Sequence, residues 1–401
     1  MDTYRYTFTL KHSLKKERVI KVGVAGSGNV EVLVKPHPAK EHTLIEIHTP
    51  LSGFKPTWDE VIQRFIEDYP YAGLHIILYD AGATPPVVAL RLRQALETYQ
   101  EGYAIKNGYT EASARHRIYS LVDQGSFEEF LLDEETPSPT LPALHIQTET
   151  DDGVVIGKAH LAGLPIAIAA QQKDFIGGSV GEIHGAKLIG LIRYAIKHRL
   201  YALIFLIDSG GVRLQEANVG EIEISELIRC VLEAQQAGIK TIGLICGTNG
   251  AYGGMGIFSG VLDYLIVNQG ARIGISGAEV IEAVKGKEVF DSSDRALIWR
   301  VYGGRTRYMQ NAAQAYTSNR MSDIKKALCH ALDTLKDKPA LNYTDVFKEH
   351  LQLQQRLKTA QACCEEGEWL AQYKPDYAAT ALFDCNDAHF LSQVAKGTPH
   401  D

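Results

Sequence analysis

The sequence predicts an α+β unit followed by a larger layered α/β unit, and three observations carry that reading. Residues 17–35 alternate as a β-hairpin, with Val22, Val24, Val30, Val32 and Val34 at β-favouring positions around the tip AGSGN. From residue 152 onward apolar strands alternate with helical patterns, as in a layered core built on a buried sheet. Glycine-rich turns at 175–188, 207–218 and 247–260 each stand where an apolar strand hands over to a helix.

The elements follow in order. After the hairpin, Leu44, Ile45 and Ile47 continue the strand pattern. Trp58, Val61, Ile62, Phe65 and Ile66 recur at helical spacing and predict a helix from Trp58 to Tyr69. LHIILYD (74–80) reads as a strand, and Thr84 followed by Pro85 marks the next helix start, a cap ahead of a first-turn proline. Residues 101–109 close this unit and form a tether that reaches about 30 Å when fully extended. Residues 110–125 read as a short helical region and DEETPSPTLP (133–142) as a surface loop. The strands VVIG, PIAIAAQQ, YALIFLID, TIGLICG, YLIVNQ and ARIGISG then alternate with helices over about 180–199, 217–237 and 254–262. Beyond about residue 309 the pattern is of polar helices without glycine turns, a cap or docking arm.

Composition narrows the function classes. The 401 residues, 45% hydrophobic and 22% charged, suffice for two or three domains with sizeable cores. A formal charge of −7 leaves no broad basic surface, so nucleic acid is not an expected partner. The first residues, MDTYRYTFTLKHSLKK, lack the apolar run of a signal peptide. The best membrane candidate, YALIFLI (201–207), is far too short to span a bilayer and ends at Asp208. No membrane association and a cytoplasmic location are expected. The six cysteines, at 230, 246, 329, 363, 364 and 385, include no C-x-x-C pair and read as reduced thiols. The histidines show no metal-ligand spacing, and no metal is expected.

The chemistry lies in the turns. After YALIFLID, the segment Ser209-Gly210-Gly211-Val212 turns the chain so that the N–H groups of Gly211 and Val212 leave the strand end. After TIGLICG, Gly253-Gly254-Met255 does the same at a helix start. Two such donors from separate turns form an oxyanion hole for a thioester carbonyl that becomes an enolate, each worth about 2.7–4 kcal/mol. The plainer alternative is that the glycines serve tight strand–helix packing or hold a nucleotide phosphate.

FIGGSVGEIHGAKL, DSGGVRLQEAN, NGAYGGMG and ARIGISGAEVIEA, in that order, resemble the carboxyltransferase branch of the crotonase superfamily. The resemblance is nearest to the beta subunit of biotin-independent malonate decarboxylase, over about residues 110–401. KVGVAGSGNVEVLV and YDAGATPPVVALRLRQALE separately resemble the acyl carrier (delta) subunit of that system. The resemblance therefore implies an acyl carrier domain over 1–101, a crotonase-like beta domain over 110–308 and its helical C-terminal extension over 309–401.

It also implies chemistry. Ser27, between Gly26 and Gly28, would carry a phosphoribosyl-dephospho-coenzyme A group through a phosphodiester, with no biotin required. Malonyl thioester would lose carbon dioxide at the amides of Gly211, Val212, Gly253 and Gly254, and Gly177, Gly178 and Ser179 would meet the acyl arm. Implied partners are a gamma decarboxylase subunit, an alpha malonate:acetyl carrier transferase and a prosthetic-group transferase. Glu182 and His184 are further candidates for the arm or for proton delivery, although Ser179 and Glu182 also fit a capping box. Arg213, Gln215 and Glu216 either bind the arm's phosphates or order the turn through an Arg–Glu pair. Asp294, Arg295, Trp299, Arg300 and Arg305 read as a basic rim or a solvated helix face. The competing expectations are a biotin-dependent acyl-CoA carboxyltransferase beta chain and a non-catalytic carrier and scaffold. Against the first stand the carrier-like start, the missing zinc ribbon and the missing Met-Lys-Met.

Overall fold

The computed structural model describes residues 2–14, 16, 18–26, 28–132, 136–361, 382–383 and 385–394. The first unit comprises β1 (Asp2–Thr9), β2 (His12–Ser13), β3 (Ile20–Val22), β4 (Val30–Pro36), β5 (His42–Thr49), α1 (Lys55–Asp68), β6 (Tyr71–Ala72), β7 (Leu74–Asp80) and α2 (Pro85–Glu101). Its main sheet has the order β1-β5-β7-β4-β3. β3 and β4 form the expected hairpin, with Ile20 opposite Val34 and Val22 opposite Val32. Val24 falls past the end of β3, in the tip. β5 and β7 are parallel, and α1 supplies the crossover that a parallel pair needs. The two helices bury Trp58, Ile62, Phe65, Val88, Leu92 and Leu96 against Val32, Val34, Ile45, Ile47, Ile76 and Leu78. The sequence reading did not anticipate β1. Its alternation of Tyr4, Tyr6 and Phe8 with exposed residues is that of a half-buried strand, and it carries no apolar run.

The second unit begins with α3 (Ala114–Leu121), β8 (Glu128–Glu129), β9 (Val154–Leu161), β10 (Leu164–Gln171), α4 (Glu182–His198), β11 (Ala202–Ile207), α5 (Val219–Gln236) and β12 (Lys240–Ile245). It continues with β13 (Ala251–Tyr252), α6 (Gly254–Gly260), β14 (Tyr264–Val267), β15 (Ile273–Gly274), α7 (Ala278–Lys285), α8 (Arg295–Tyr302), α9 (Gly304–Met309) and β16 (Ala315–Tyr316). Three helices follow: α10 (Met321–Thr334), α11 (Tyr343–Gln361) and α12 (Asp387–Val394). The sheet order is β16-β14-β12-β11-β10-β9-β8, parallel from β10 to β16.

Both faces of this sheet are covered, which is why the central strand β11 is apolar at every position. Leu203, Phe205 and Ile207 face Leu188, Leu191 and Leu227 of α4 and α5. Ile204, Leu206 and Leu244 face Ile118 and Leu121 of α3 and Ile324, Leu328 and Leu332 of α10. Thus α10 belongs to the main core, and α12 joins the opposite face through buried Phe390. ARIGISG contributes only β15, which pairs with β13 in a separate ladder. The segment 133–142 is not all surface: Ser138 and Leu141 are buried, and residues 133–135 lie outside the described residues. Among the described residues no helix is long and apolar enough to cross a membrane.

Candidate active site

β11 and β12 run parallel in register from Ala202↔Lys240 to Ile207↔Ile245, so the turns that follow them leave the sheet side by side. Backbone hydrogen bonds then stitch all three glycine turns together. Gly210 N donates to Gly177 O (2.9 Å), Val180 N to Gly211 O (2.9 Å) and Arg213 N to Val180 O (2.8 Å). On the other side Ser209 N donates to Gly250 O (2.7 Å) and Tyr252 N to Ser209 O (3.1 Å). Close approach requires the absence of side chains. A Cβ on Gly178, where φ is +67°, would lie 2.1 Å from Asp208 O, and one on Gly211, where φ is +123°, would lie 3.2 Å from Tyr252 O and against Gly253 Cα. The first turn is strained, with φ of +43° at the β-branched Ile176.

The amides differ in availability. Gly211 N–H donates to Ser209 Oγ (3.1 Å) and Gly253 N–H to Gly274 O (3.1 Å). Val212 and Gly254 N–H donate to nothing among the described residues. Across a planar trans peptide, C=O and N–H point in opposite directions. Gly211 C=O faces Val180, so Val212 N–H points away from the first turn. Gly253 C=O accepts from Ile257 N, so Gly254 N–H points out of the N-terminal end of α6. Two free donors therefore stand one residue beyond a pair of abutting glycines. In the first turn, Gly178 N and Ser179 N donate to Phe175 O and Ile176 O, while Gly177 is exposed.

A buried ionic cluster lies beneath the turns. Arg213 meets Asp152 at 2.8 Å and Glu216 at 3.0 Å, and its Nη2 reaches Ser179 O. Ser138 Oγ donates to Glu216 Oε1 at 2.5 Å and the Glu182 amide to Glu216 Oε2 at 2.7 Å. Burial pushes the Asp152 carboxyl up to about 6 against the pull of Arg213. Burial also opposes ionisation of Glu216, but Ser138, the Glu182 amide and Arg213 together hold it below the usual carboxylate range. Arg213 and Glu216 thus order the turn, whereas Gln215 is exposed. At the end of β11, Asp208 receives the Asn249 amide at 2.7 Å and faces Arg117 at 2.8 Å. Arg117, Asp152 and Asp208 were not singled out as functional from sequence; the available signal was an acid closing the otherwise apolar strand YALIFLID.

Several sequence-predicted roles change. Ser179 and Glu182 form no capping box: α4 is capped by Gly181, and Ser179 Oγ donates to Ile176 O. His184 is fully buried against Gln171 and Asp152. Burial, reinforced by Arg213 and Lys187, pushes it down to about 3, so it is a neutral structural histidine. Asp294 caps α8 through Leu297 N. Arg305 belongs to no rim: it is buried, meets Asp387 at 3.0 Å and holds the C-terminal helix α12. Ser27 lies outside the described residues. Its neighbours are described: Gly26 O accepts from Asn29 N, and Gly28, at φ +73°, has open space around it. Away from these turns, the carboxylates of Glu31, Glu149 and Asp151 offer oxygens within 4.8 Å of one another. Cations and donors of the chain itself already serve them: Arg115 reaches Asp151, Thr150 donates to Glu31 and the Ala25 amide to Glu149.

Parallel strands with helices on both faces, and glycine turns joined at one sheet end, define a doubly covered α/β domain behind a smaller α+β domain. The chain belongs to the carboxyl transferase domain family, whose profile matches residues 109–317, and the malonate decarboxylase delta subunit profile matches residues 17–99. Malonyl-S-ACP:biotin-protein carboxyltransferase MADC of Malonomonas rubra is 37% identical over 218 residues, 50% of this chain and 68% of that protein. The acetyl-coenzyme A carboxylase carboxyl transferase subunit beta of Fusobacterium nucleatum is 30% identical over 185 residues, 44% of this chain and 60% of that protein. A chain in the crystal structure of a Pseudomonas malonate decarboxylase hetero-tetramer in complex with malonate is 32% identical, with a TM-score of 0.61. That match covers 67% of this chain and 98% of the Pseudomonas chain. The fold is thus a carrier domain followed by a crotonase-like carboxyltransferase domain.

Proposed function

We propose that this chain is the carrier and decarboxylase component of a cytoplasmic malonate decarboxylase. A malonyl thioester enters at the second and third turns, the bond to its terminal carboxylate breaks, and that electron pair moves onto the thioester oxygen. Carbon dioxide leaves, and protonation of the resulting enolate at carbon gives the acetyl thioester. The amides of Val212 and Gly254 receive the developing charge, and Gly211 and Gly253 bring them together. The observation that carries this reading is that these two donors are unspent and each directly follows one of two abutting glycines. Donors fixed before reaction lose nothing to reorganisation.

The carrier spans residues 1–101, the catalytic unit 110–308 and its extension 309–401. Ser27 fits a covalently attached group because Gly28 beside it leaves open space, and phosphoribosyl-dephospho-coenzyme A would supply a thiol on a long arm. Exposed apolar side chains near the turns, Leu214, Ile257, Ile275 and Val280, suit a gamma decarboxylase subunit as neighbour. An alpha transferase would load malonyl, and a prosthetic-group transferase would modify Ser27.

The test separates the N–H from the space around it. Gly254→Pro removes the donor at the first helical position, where proline is tolerated, while Gly254→Ala keeps it. Turnover of malonyl thioester falls by about 10²–10³ in the proline variant beyond any loss in the alanine one. Equal rates in the two variants would sink the assignment. The Malonomonas relative supports a second reading, in which the carboxyl group passes to a biotin protein. Carbon dioxide release that is insensitive to avidin decides for direct decarboxylation.

A further inference from the structure

We infer that the carrier is docked on the carboxyltransferase domain of its own chain through a buried ionic seam, which holds the hairpin tip beside the first glycine turn of that same chain. What the tip delivers rests on the function proposed above; the docking does not.

The seam interleaves the two domains. From the carrier, Lys21 on β3 and Glu31 on β4 are both buried. Lys21 Nζ donates to Thr150 Oγ1 at 2.6 Å, and Thr150 Oγ1 donates onward to Glu31 Oε1 at 2.8 Å. The Ala25 amide, two residues before Ser27, donates to Glu149 Oε1 at 3.1 Å. From behind, Arg115 meets Asp151 at 2.7 Å, and Lys187 donates to the carbonyls of Asp151 and Val154. Burial pushes the Glu31 and Glu149 carboxyls up. Burial opposes ionisation of Asp151 as well, yet Arg115 foremost holds it well below the usual range. Lysine and glutamate are almost never fully buried unless partnered, and here each domain supplies partners for the other.

The tether is anchored too. The Tyr103 ring stacks on Tyr119 with centroids 4.5 Å apart, and its hydroxyl donates to Lys21 O at 2.6 Å. Met321 N donates to Asn107 O, and Tyr109 N to Asn319 O. A Cβ on Gly26 would lie 3.3 Å from Asp174 O, one residue ahead of the first glycine turn. A buried ion cluster of this kind sets register more than it adds affinity. The carrier is thereby directed at one pocket, that of its own chain.

Complementation tests this. Ser27→Ala chains, with an intact pocket, and Gly254→Trp chains, with an intact carrier, are co-expressed with their partner subunits. The mixture is expected to turn over malonyl no faster than either variant alone. In a Thr150→Val background, which cuts the Lys21–Thr150–Glu31 link at constant volume, turnover reappears in the mixture and trypsin cleaves the exposed Lys106 several-fold faster. Recovery of turnover in the parent mixture overturns the proposal, as does a cleavage rate that Thr150→Val leaves unchanged. Turnover by either single variant alone would instead refute the functional reading, and the cleavage rate would still judge the docking.

Discussion

Two buried charge clusters among the described residues are built to different ends. Beneath the turns, Arg213, Asp152, Glu216 and Ser138 all belong to one domain, and the guanidinium is held by both acids and by a turn carbonyl. At the seam, three carboxylates gather from two domains, and burial has pushed two of them towards their protonated forms. Beneath the turns Glu216 is held charged and only Asp152 is raised, whereas between the two folded units two of the three carboxyls are raised and the cluster can adjust by taking up a proton.

The comparison breaks most readily at Arg213. Arg213→Met strands buried Glu216 and is expected to cost about 3–5 kcal/mol in urea unfolding. Lys21→Met should cost less, about 1–3 kcal/mol, because Glu31 can protonate in place of losing a partner while charged. The sign of its pH dependence follows. A carboxyl whose folded pKa is raised binds protons more tightly folded than unfolded, so stability falls as pH rises from about 4.5 through the raised value. The Lys21→Met deficit should therefore grow as pH rises above about 4.5. Equal costs at both sites would erase the distinction.

His184 gives the opposite dependence. Its folded pKa of about 3 lies below the ordinary 6.5, so on acidification the unfolded chain takes up a proton that the folded chain refuses. Its contribution is intact above 6.5 and falls towards 3, a loss of about 2 kcal/mol near pH 5. His184→Gln should flatten the melting temperature over that window, and an unchanged profile would remove the neutral buried assignment. The smallest effect is at Gly177, where φ is +64° and a Cβ meets open space. Gly177→Ala should cost only about 1–2 kcal/mol for the left-handed backbone, read as a small shift in melting temperature.

Much of the fold was legible because the buried sheet writes itself as continuous apolar runs. YALIFLID and TIGLICG gave β11 and β12 nearly residue for residue, and Thr84-Pro85 gave the start of α2. β1 escaped because an edge strand buries only alternate residues, and Tyr4, Tyr6 and Phe8 supply too little apolar length. The place of the turns was legible from glycine spacing, but the state of each amide was not. Whether Gly211 N–H is spent depends on where Ser209 Oγ lies, and whether Gly253 N–H is spent depends on β15, twenty residues later in the chain. The seam was invisible for the same reason: nothing local to Lys21 announces Thr150.

Because Tyr103, Lys21 and Thr150 make their contacts through side chains and backbone groups on both sides of the tether, the peptide link at Lys106 is not what joins the halves. Severing it should leave two fragments whose mating surfaces are intact, and co-expressed halves divided there are expected to copurify. Covalent continuity then contributes local abundance and equal dosage of the two halves, as an operon of separate genes would have to arrange by other means.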